Sequence, residues 1–188
     1  KTNAARRMVR KGQKQDLYLR QIQRPEEIRE FYQLVSAWRR QEGFPSYQSE
    51  RYEKMATYLK DHCTFFLTQR SGLSIGGAGL WHFNGQAHQF TSIYSSLARQ
   101  QRIYAGDFLT WEMIRWCHER GLSIFDLTGV SPSPVSAKEA GIRRFKEKWG
   151  GAMVEYPVFT YVLKPRNWNL VSFIQGAKQK IRKWRGGG

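Results

Sequence analysis

Residues 63–95 read CTFFLTQRSGLSIGGAGLWHFNGQAHQFTSIYS, and this stretch decides the fold. It is rich in aromatic and β-branched side chains, which favour strands, and turn-forming residues interrupt it twice. The second interruption, Asn84-Gly85, is the dipeptide that most strongly indicates a two-residue hairpin. The stretch therefore predicts an antiparallel meander of three strands, at 63–69, 73–83 and 87–95.

Patterns on both sides of this meander predict the other elements. Pro25, followed by two glutamates, is typical of a helix start, because Pro is tolerated there and carboxylates favour the helix dipole. Asp107 is predicted to be the N-cap of a later helix. Outside the meander we expect strands at 17–22, 124–128 and 152–163, and helices from Pro25 until Gly43 and at 49–60, 107–120 and 138–149. The resulting order, β-α-α-β-β-β-α-β-α-β, predicts an α+β fold with a mostly antiparallel central sheet flanked by helices.

The net charge of +16 is concentrated at the two ends of the 188-residue chain. Residues 1–24 and residues 164–188 each carry a net charge of +7, so the middle is nearly neutral. This segregation predicts a polyanionic partner, which could be RNA, an anionic membrane surface or a phosphorylated precursor; the alternative is that the basic ends only confer solubility. The side chains predicted to bind nucleic acid are Arg6, Arg7, Arg10, Lys11, Lys178, Lys180, Arg182 and Lys183.

Composition excludes several classes of protein. With 40% hydrophobic residues the chain is expected to fold. The sequence contains no run of about 18 apolar residues, so no membrane span is predicted. No apolar signal-peptide core is visible near the basic start. The two cysteines do not suggest a disulfide framework, and neither they nor the four histidines show metal-ligand spacing. These features predict a cytoplasmic protein without a metal.

One segment with chemical potential is FDLTGVSP, residues 125–132. It reads as the end of a strand followed by a Pro-containing loop, and ligands approach α/β proteins at such strand ends. Asp126 in this segment either caps neighbouring backbone or contacts a substrate.

A second segment is GIRRFKEKWGG, residues 141–151. Its helical spacing predicts that Ile142, Phe145 and Trp149 share one buried face. Lys146 borders that face, so its ammonium group either reaches into a cleft or extends to solvent. Lys148 is predicted to point away.

These two segments resemble the Fem (FemABX-type) peptidyl transferases and their GNAT acyltransferase relatives. The resemblance is carried by F-D-L-x-G at 125–129 and G-x-x-R-F-K-x-x-[FW]-G-G at 141–151, with support from the helix at 109–117 and the basic stretch RRMVRKG at 6–12. Fem enzymes contain two GNAT-like domains, and this chain is similar only to the second. The resemblance implies a basic linker helix at 1–16, a GNAT-like acyltransferase domain at 17–163 and a basic C-terminal tail at 164–188.

The resemblance also implies an activity. Fem enzymes transfer an amino acid from aminoacyl-tRNA to an amine of a peptide or peptidoglycan precursor, and no cofactor is expected. Phe145 and Lys146 fall on the family's Phe-Lys pair at the acyl-transfer centre, where a fixed cation would stabilise a tetrahedral oxyanion. The residues implied to bind substrate are Tyr94, Arg51, Tyr52 and Asp126. A missing N-terminal GNAT-like domain and peripheral contact with the inner face of an anionic membrane are further expectations.

The donor remains open between two chemical classes. GNAT enzymes that use acetyl-CoA have a [QR]-x-x-G-x-[GA] loop that cradles pyrophosphate, whereas residues 102–107 read RIYAGD. The carboxylate of Asp107 is predicted to repel pyrophosphate, which favours aminoacyl-tRNA. The alternatives are an N-acyltransferase using acyl-CoA or another thioester, and a non-catalytic RNA- or membrane-binding half of a two-domain transferase.

Overall fold

The computed structural model describes residues 2–157, 159 and 161–163. Its described strands belong to one sheet, on which helices pack. In chain order the described elements are α1 (Asn3–Gln13), β1 (Leu17–Gln21), a 3-10 turn (Pro25–Glu27), α2 (Ile28–Gln41), α3 (Ser49–Tyr58), β2 (Cys63–Arg70), β3 (Leu73–Phe83), β4 (Gln86–Tyr94), α4 (Ser96–Gln100), α5 (Ala105–Glu119), β5 (Ile124–Asp126) and α6 (Ala137–Glu147).

The described strands form a sheet in the order β1-β2-β3-β4-β5. The pairs from β1 to β4 are antiparallel, and the predicted meander is confirmed, with Asn84-Gly85 at the tight turn between β3 and β4. β5 pairs parallel to β4, because α4 and α5 carry the chain back across the sheet before β5 begins. The α+β class predicted from the sequence is therefore confirmed.

Helices cover both faces of the sheet. On one face, α2 and α3 pack their apolar residues, including the fully buried Phe31, against Phe65 and Ile93 of the strands. On the other face, Leu109 and Met113 of α5 pack against the strands, and both are completely buried. β2 lies in the middle of the sheet, and its residues from Cys63 to Gln69 are all buried because helices cover both faces of the sheet.

The contact between β4 and β5 is short. Its register joins Gln86, Ala87 and His88 to Ile124, Phe125 and Asp126, and β5 then ends. Among the described residues, no strand pairs with this side of β4 from Gln89 to Tyr94. The sheet therefore opens at the pair His88 and Asp126, with the remainder of β4 on one side and the loop after β5 on the other.

α1 lies against the start of α5. Its buried residues are Ala5, Val9 and Gly12. At Gly12 the helices approach so closely that an added Cβ would lie 3.1 Å from Cβ of Phe108 and 3.2 Å from the carbonyl oxygen of Tyr104. Residues 1–151, including this helix, form one compact unit.

Two predictions about local structure are wrong. The expected strand at 152–163 does not form among its described residues, which belong to a second unit. Val154, Tyr156 and Tyr161 favour strands, but strand propensity is realised only with a pairing partner, and Pro157 has no N–H to offer one. Asp107 is not an N-cap: α5 begins at Ala105, so Asp107 lies within its first turn, where a carboxylate also suits the helix dipole.

The close packing of β3 against β4 generates a prediction about stability. A Cβ added at Gly79 would lie 2.2 Å from Cζ of Phe90, whose ring packs against Trp81 with ring centroids 4.8 Å apart. Gly79→Ala is therefore expected to lower the free energy of unfolding by about 1–3 kcal/mol, measured by urea denaturation. Gly141→Ala in α6 is the control, because its Cβ would meet open space and should leave stability unchanged or slightly raised. Equal stability of the two variants would contradict the prediction.

Candidate active site

The loop after β5 is shaped by Asp126. Oδ1 of Asp126 accepts a hydrogen bond from the backbone N–H of Thr128 at 2.6 Å. Thr128 has a φ of 62°, in the left-handed region that a threonine rarely adopts. The carboxylate thus holds a tight turn directly after the strand, which is the capping role that the sequence left open for Asp126.

Lys146 of α6 reaches this turn. Its Nζ donates to the carbonyl oxygens of Thr128 at 3.2 Å and Gly129 at 2.8 Å, and Oγ1 of Thr128 lies at 3.5 Å. Two N–H groups of the ammonium are therefore committed to backbone, whereas the third makes only a long contact. The sequence left the ammonium either in a cleft or in solvent, and in the structure it lies at the strand end against these carbonyls.

Electrostatics at Lys146 act in opposite directions. Burial lowers the pKa of the Lys146 ammonium, and the nearby Asp126 carboxylate raises it. The two carbonyl oxygens also stabilise the charged form. The side chain is half-buried and held by the two carbonyls, so its ammonium is a fixed positive charge. Its third N–H makes only the long contact to Oγ1 of Thr128.

The rest of α6 differs from its prediction. Ile142 is 43% exposed and Phe145 is half-buried, so only Trp149 of the expected face is fully buried. Lys148 does not point away: its Nζ lies 2.5 Å from Oδ1 of Asp107 and 4.2 Å from the centroid of the Phe145 ring. A helical wheel of α6 could not predict this ion pair, because the wheel shows the residues of one helix and Asp107 belongs to α5.

Tyr94, the last residue of β4, lies beside Gly106 in the first turn of α5. Together with Arg99, Arg102 and Gly106 it lines a cavity of about 350 Å³. Its hydroxyl is 2.6 Å from Oγ of Ser92, and burial raises the pKa of Tyr94 to about 12, so the phenol stays protonated at neutral pH. This position suits contact with a bound molecule rather than proton abstraction.

The two other residues implied to bind substrate are placed differently from each other. Arg51 is exposed, and its guanidinium group lies 4.7 Å from the centroid of the Tyr47 ring, which Arg39 also contacts at 3.9 Å. Tyr52 is 5% exposed and packs edge-on against Phe31. The Tyr52 ring is thus part of the core, and a role of either residue in substrate binding stays a prediction.

The exposed side of α1 is strongly basic. An open cavity of about 500 Å³ is lined by Asn3, Arg6, Arg7, Arg10, Lys11 and Lys14. Lys11 also donates to the hydroxyl of Tyr104 at 3.3 Å, and Tyr104 lines the cavity at the start of α5. The two basic concavities therefore meet at Lys11. The other predicted nucleic-acid ligands, Lys178, Lys180, Arg182 and Lys183, lie outside the described residues.

Sequence reasoning missed His88. Its Nδ1 lies 3.0 Å from Oδ2 of Asp126, the oxygen that does not bind Thr128. The two residues are 38 positions apart, and only the parallel register of β4 and β5 makes them neighbours. No local motif could have signalled this pair.

Other chemically reactive side chains do not form a site. Cys63 and Cys117 are buried, and burial raises the pKa of their thiols to about 12 and about 11, so neither is a thiolate nucleophile at neutral pH. Within the described part of the chain, no three His, Cys, Asp or Glu side chains converge to hold a metal ion. None of the helices described is long and apolar enough to cross a membrane.

A family profile described as an acetyltransferase (GNAT) domain matches residues 1–147. The chain belongs to this GNAT family. Its fold is accordingly the GNAT fold, a curled mixed five-stranded sheet flanked by helices, and the family is one of acyltransferases. Comparison with curated proteins finds no match.

Solved structures share this fold at low sequence identity. FemX superposes with a TM-score of 0.67 and 13% identity, over 79% of this chain and 53% of that one. The C-terminal domain of a protein assigned as lysylphosphatidylglycerol synthetase from Agrobacterium fabrum gives 0.59 and 15%, over 80% and 51%. The aminoglycoside acetyltransferase meta-AAC0020 from an uncultured soil metagenomic sample, in complex with sisomicin, gives 0.57 and 16%, over 79% and 97%. The chain thus spans about half the length of FemX, and these likenesses establish the fold alone.

The ion pair between Lys148 and Asp107 generates a second prediction. Lys148→Ala is expected to lower the free energy of unfolding by roughly 3 kcal/mol, because it leaves a buried carboxylate without its cation. Adding Asp107→Asn to this variant should restore part of the loss, which a double-mutant cycle in urea would measure. Arg144→Ala is the control, since Arg144 is exposed on the same helix. The prediction fails if Lys148→Ala is as stable as Arg144→Ala.

Proposed function

We propose that this GNAT acyltransferase transfers an amino acid from aminoacyl-tRNA to an amine of a peptide or peptidoglycan precursor. The observation that carries the proposal is a basic surface that extends from the cavity on α1 to the cavity at the start of α5. Lys11 lies where the two cavities meet. A surface this long suits an extended phosphodiester chain better than a single small donor. The end of that chain would then lie near the opening between β4 and β5.

The chemistry asked of the site is aminolysis of an ester. The acceptor nitrogen forms a bond with the ester carbonyl carbon, and a tetrahedral oxyanion results. The bond from that carbon to the ribose oxygen then breaks, and the proton lost by the acceptor nitrogen passes to the ribose oxygen. The ammonium of Lys146 would donate its third N–H to the oxyanion, while the carbonyls of Thr128 and Gly129 keep it in place.

Expected partners follow from the same surface. The cluster of Arg39 and Arg51 around Tyr47 offers two guanidinium groups at the junction of α2 and α3, which suits the phosphates of a precursor acceptor. Because the chain spans about half of FemX, a second GNAT-like domain preceding it is part of the proposal. Basic side chains on α1 would also favour peripheral binding to an anionic membrane and a cytoplasmic location.

An acyl-CoA donor is the second candidate. The cavity at the start of α5 is lined by Arg99 and Arg102, which suit a pyrophosphate. Asp107 is 8% exposed and paired with Lys148, so the repulsion expected from the sequence is largely neutralised. This observation restores the candidate that the sequence had disfavoured.

A direct comparison of donors separates the two candidates. Purified protein is incubated with lipid II or peptide acceptors and either mixed aminoacyl-tRNAs or acetyl-CoA, and the products are identified by mass spectrometry. The proposal expects a mass increase of one aminoacyl residue with charged tRNA and no acetylated product. Acetyl transfer alone, with micromolar CoA affinity by calorimetry, would replace it with the second candidate. No transfer from either donor would support a binding half that needs a separate catalytic domain.

Binding of tRNA should depend steeply on salt. With about six phosphate contacts, affinity is expected to fall about 10³-fold between ~50 and ~200 mM salt, because each contact releases counterions. Arg6→Gln with Arg10→Gln should flatten the log–log slope by roughly 1.5, measured by fluorescence anisotropy. Arg115→Gln is the matched control, since Arg115 already pairs with Glu112 at 3.1 Å and Glu119 at 3.4 Å. A flat salt response of the wild type would remove α1 from the proposal.

Lys146 should matter to turnover and not to folding. Lys146→Ala is expected to lower kcat by about 10²–10³, since a fixed charge that faces a developing oxyanion acts mainly in the transition state. Lys146→Arg should restore only part, because a planar fork does not replace a compact ammonium between two carbonyls. Arg144→Ala serves as the control on the same helix and should keep wild-type kcat. Equal kcat for the Lys146 and Arg144 variants would show that Lys146 only secures the loop.

A further inference from the structure

The pair His88 and Asp126 occupies a distinctive position in the sheet. It is the last register pair of the β4–β5 ladder, and the sheet opens immediately beyond it. In a ladder, paired residues point to the same face, so His88, Asp126 and Trp81, which pairs with His88 from β3, all lie on the face covered by α2 and α3. Lys146 reaches the turn after Asp126 from α6. The imidazole and the ammonium thus lie on elements that border the same opening.

The chemistry of the carboxylate fixes the state of the imidazole. An ionised carboxylate only accepts hydrogen bonds, so Nδ1 of His88 must carry the proton in its 3.0 Å contact with Oδ2 of Asp126. In the neutral ring, Nε2 is then unprotonated and carries the free lone pair. Within the described part of the chain, Nε2 makes no hydrogen bond, and the side chain is 44% exposed.

The surroundings of His88 contain few other charges. Asp126 is the carboxylate that contacts it, and Lys146 is coupled to the same carboxylate from α6. The side chains of α2 and β3 packed on this face are apolar or aromatic, and include Phe31, Trp38 and Trp81. An oriented imidazole with a free lone pair, beside an opening in the sheet, is the arrangement required of a general base.

We propose that His88 is the general base for the acceptor amine and that Asp126 positions it. Nε2 takes the proton from the acceptor nitrogen as that nitrogen bonds to the acyl carbon. When the bond from the carbon to the leaving oxygen or sulfur breaks, the imidazolium returns the proton to that atom. The inference rests on the proposed transfer to an amine, but it holds for an ester or a thioester donor.

The kinetic test compares His88 with a surface histidine. His88→Gln is expected to lower kcat by about 10²–10⁴ with little change in KM. It should also remove the fall in kcat at acid pH that a catalytic imidazole produces in the wild type. His118→Gln, on the exposed end of α5, should keep wild-type kcat and the same profile. In His88→Ala, added imidazole should restore part of the rate, which a merely structural role would not produce. A wild-type kcat and pH profile in His88→Gln would overturn the proposal.

A spectroscopic measurement tests the pair without an activity. Nitrogen-15 NMR of the wild type at alkaline pH, where an imidazole is neutral, is expected to show His88 with the proton on Nδ1 and with an unprotonated Nε2. In Asp126→Asn the amide can donate to Nδ1 instead, so the proton should shift toward Nε2. A wild-type His88 protonated on Nε2 would overturn the proposal even if transfer occurs. Absence of transfer with the expected tautomer would instead count against the proposed function.

Discussion

The carboxylate of Asp126 binds one partner with each of its oxygen atoms, and the arrangement of the candidate site depends on this division. Oδ1 holds the backbone N–H of Thr128 and so sets the turn after β5. That turn presents the carbonyls that bind Lys146. Oδ2 holds Nδ1 of His88. One ionised side chain at a strand end thus orders a backbone turn, a cation and an imidazole.

A second constraint is the ion pair of Asp107 and Lys148. It joins the first turn of α5 to the end of α6, and both side chains are largely removed from water. A pair in such surroundings adds little net stability over apolar residues, but removing one member leaves a costly charge. Its stronger effect is on position, since it fixes where two helices of the site meet. Near the same point, the carbonyl of Lys148 accepts a hydrogen bond from Thr2 at 2.7 Å.

The sequence predicted what depends on local pattern and missed what depends on distant contacts. Strong turn chemistry at Asn84-Gly85 and the aromatic and β-branched residues of β2 placed the meander correctly. The predicted strand at 152–163 was wrong, because strand propensity without a pairing partner does not make a strand. His88 was overlooked because its partner lies 38 residues away, and Lys148 was misplaced because Asp107 comes from another helix. Lys146 could be anticipated through its position in a recognisable segment, although its carbonyl partners could not.

α1 couples the basic surface to the interior. Its exposed side carries the arginines, whereas its buried residues pack with Trp149, and its end is tied to α5 through Gln15, whose Oε1 accepts the N–H of Tyr104 at 2.8 Å. A polyanion that binds only the docked helix adds its binding free energy to the docked state by mass action. The same free energy then opposes local unfolding of the start of α5 and the end of α6. Occupancy of the outer surface would therefore appear as slower amide hydrogen exchange at residues that the polyanion never touches.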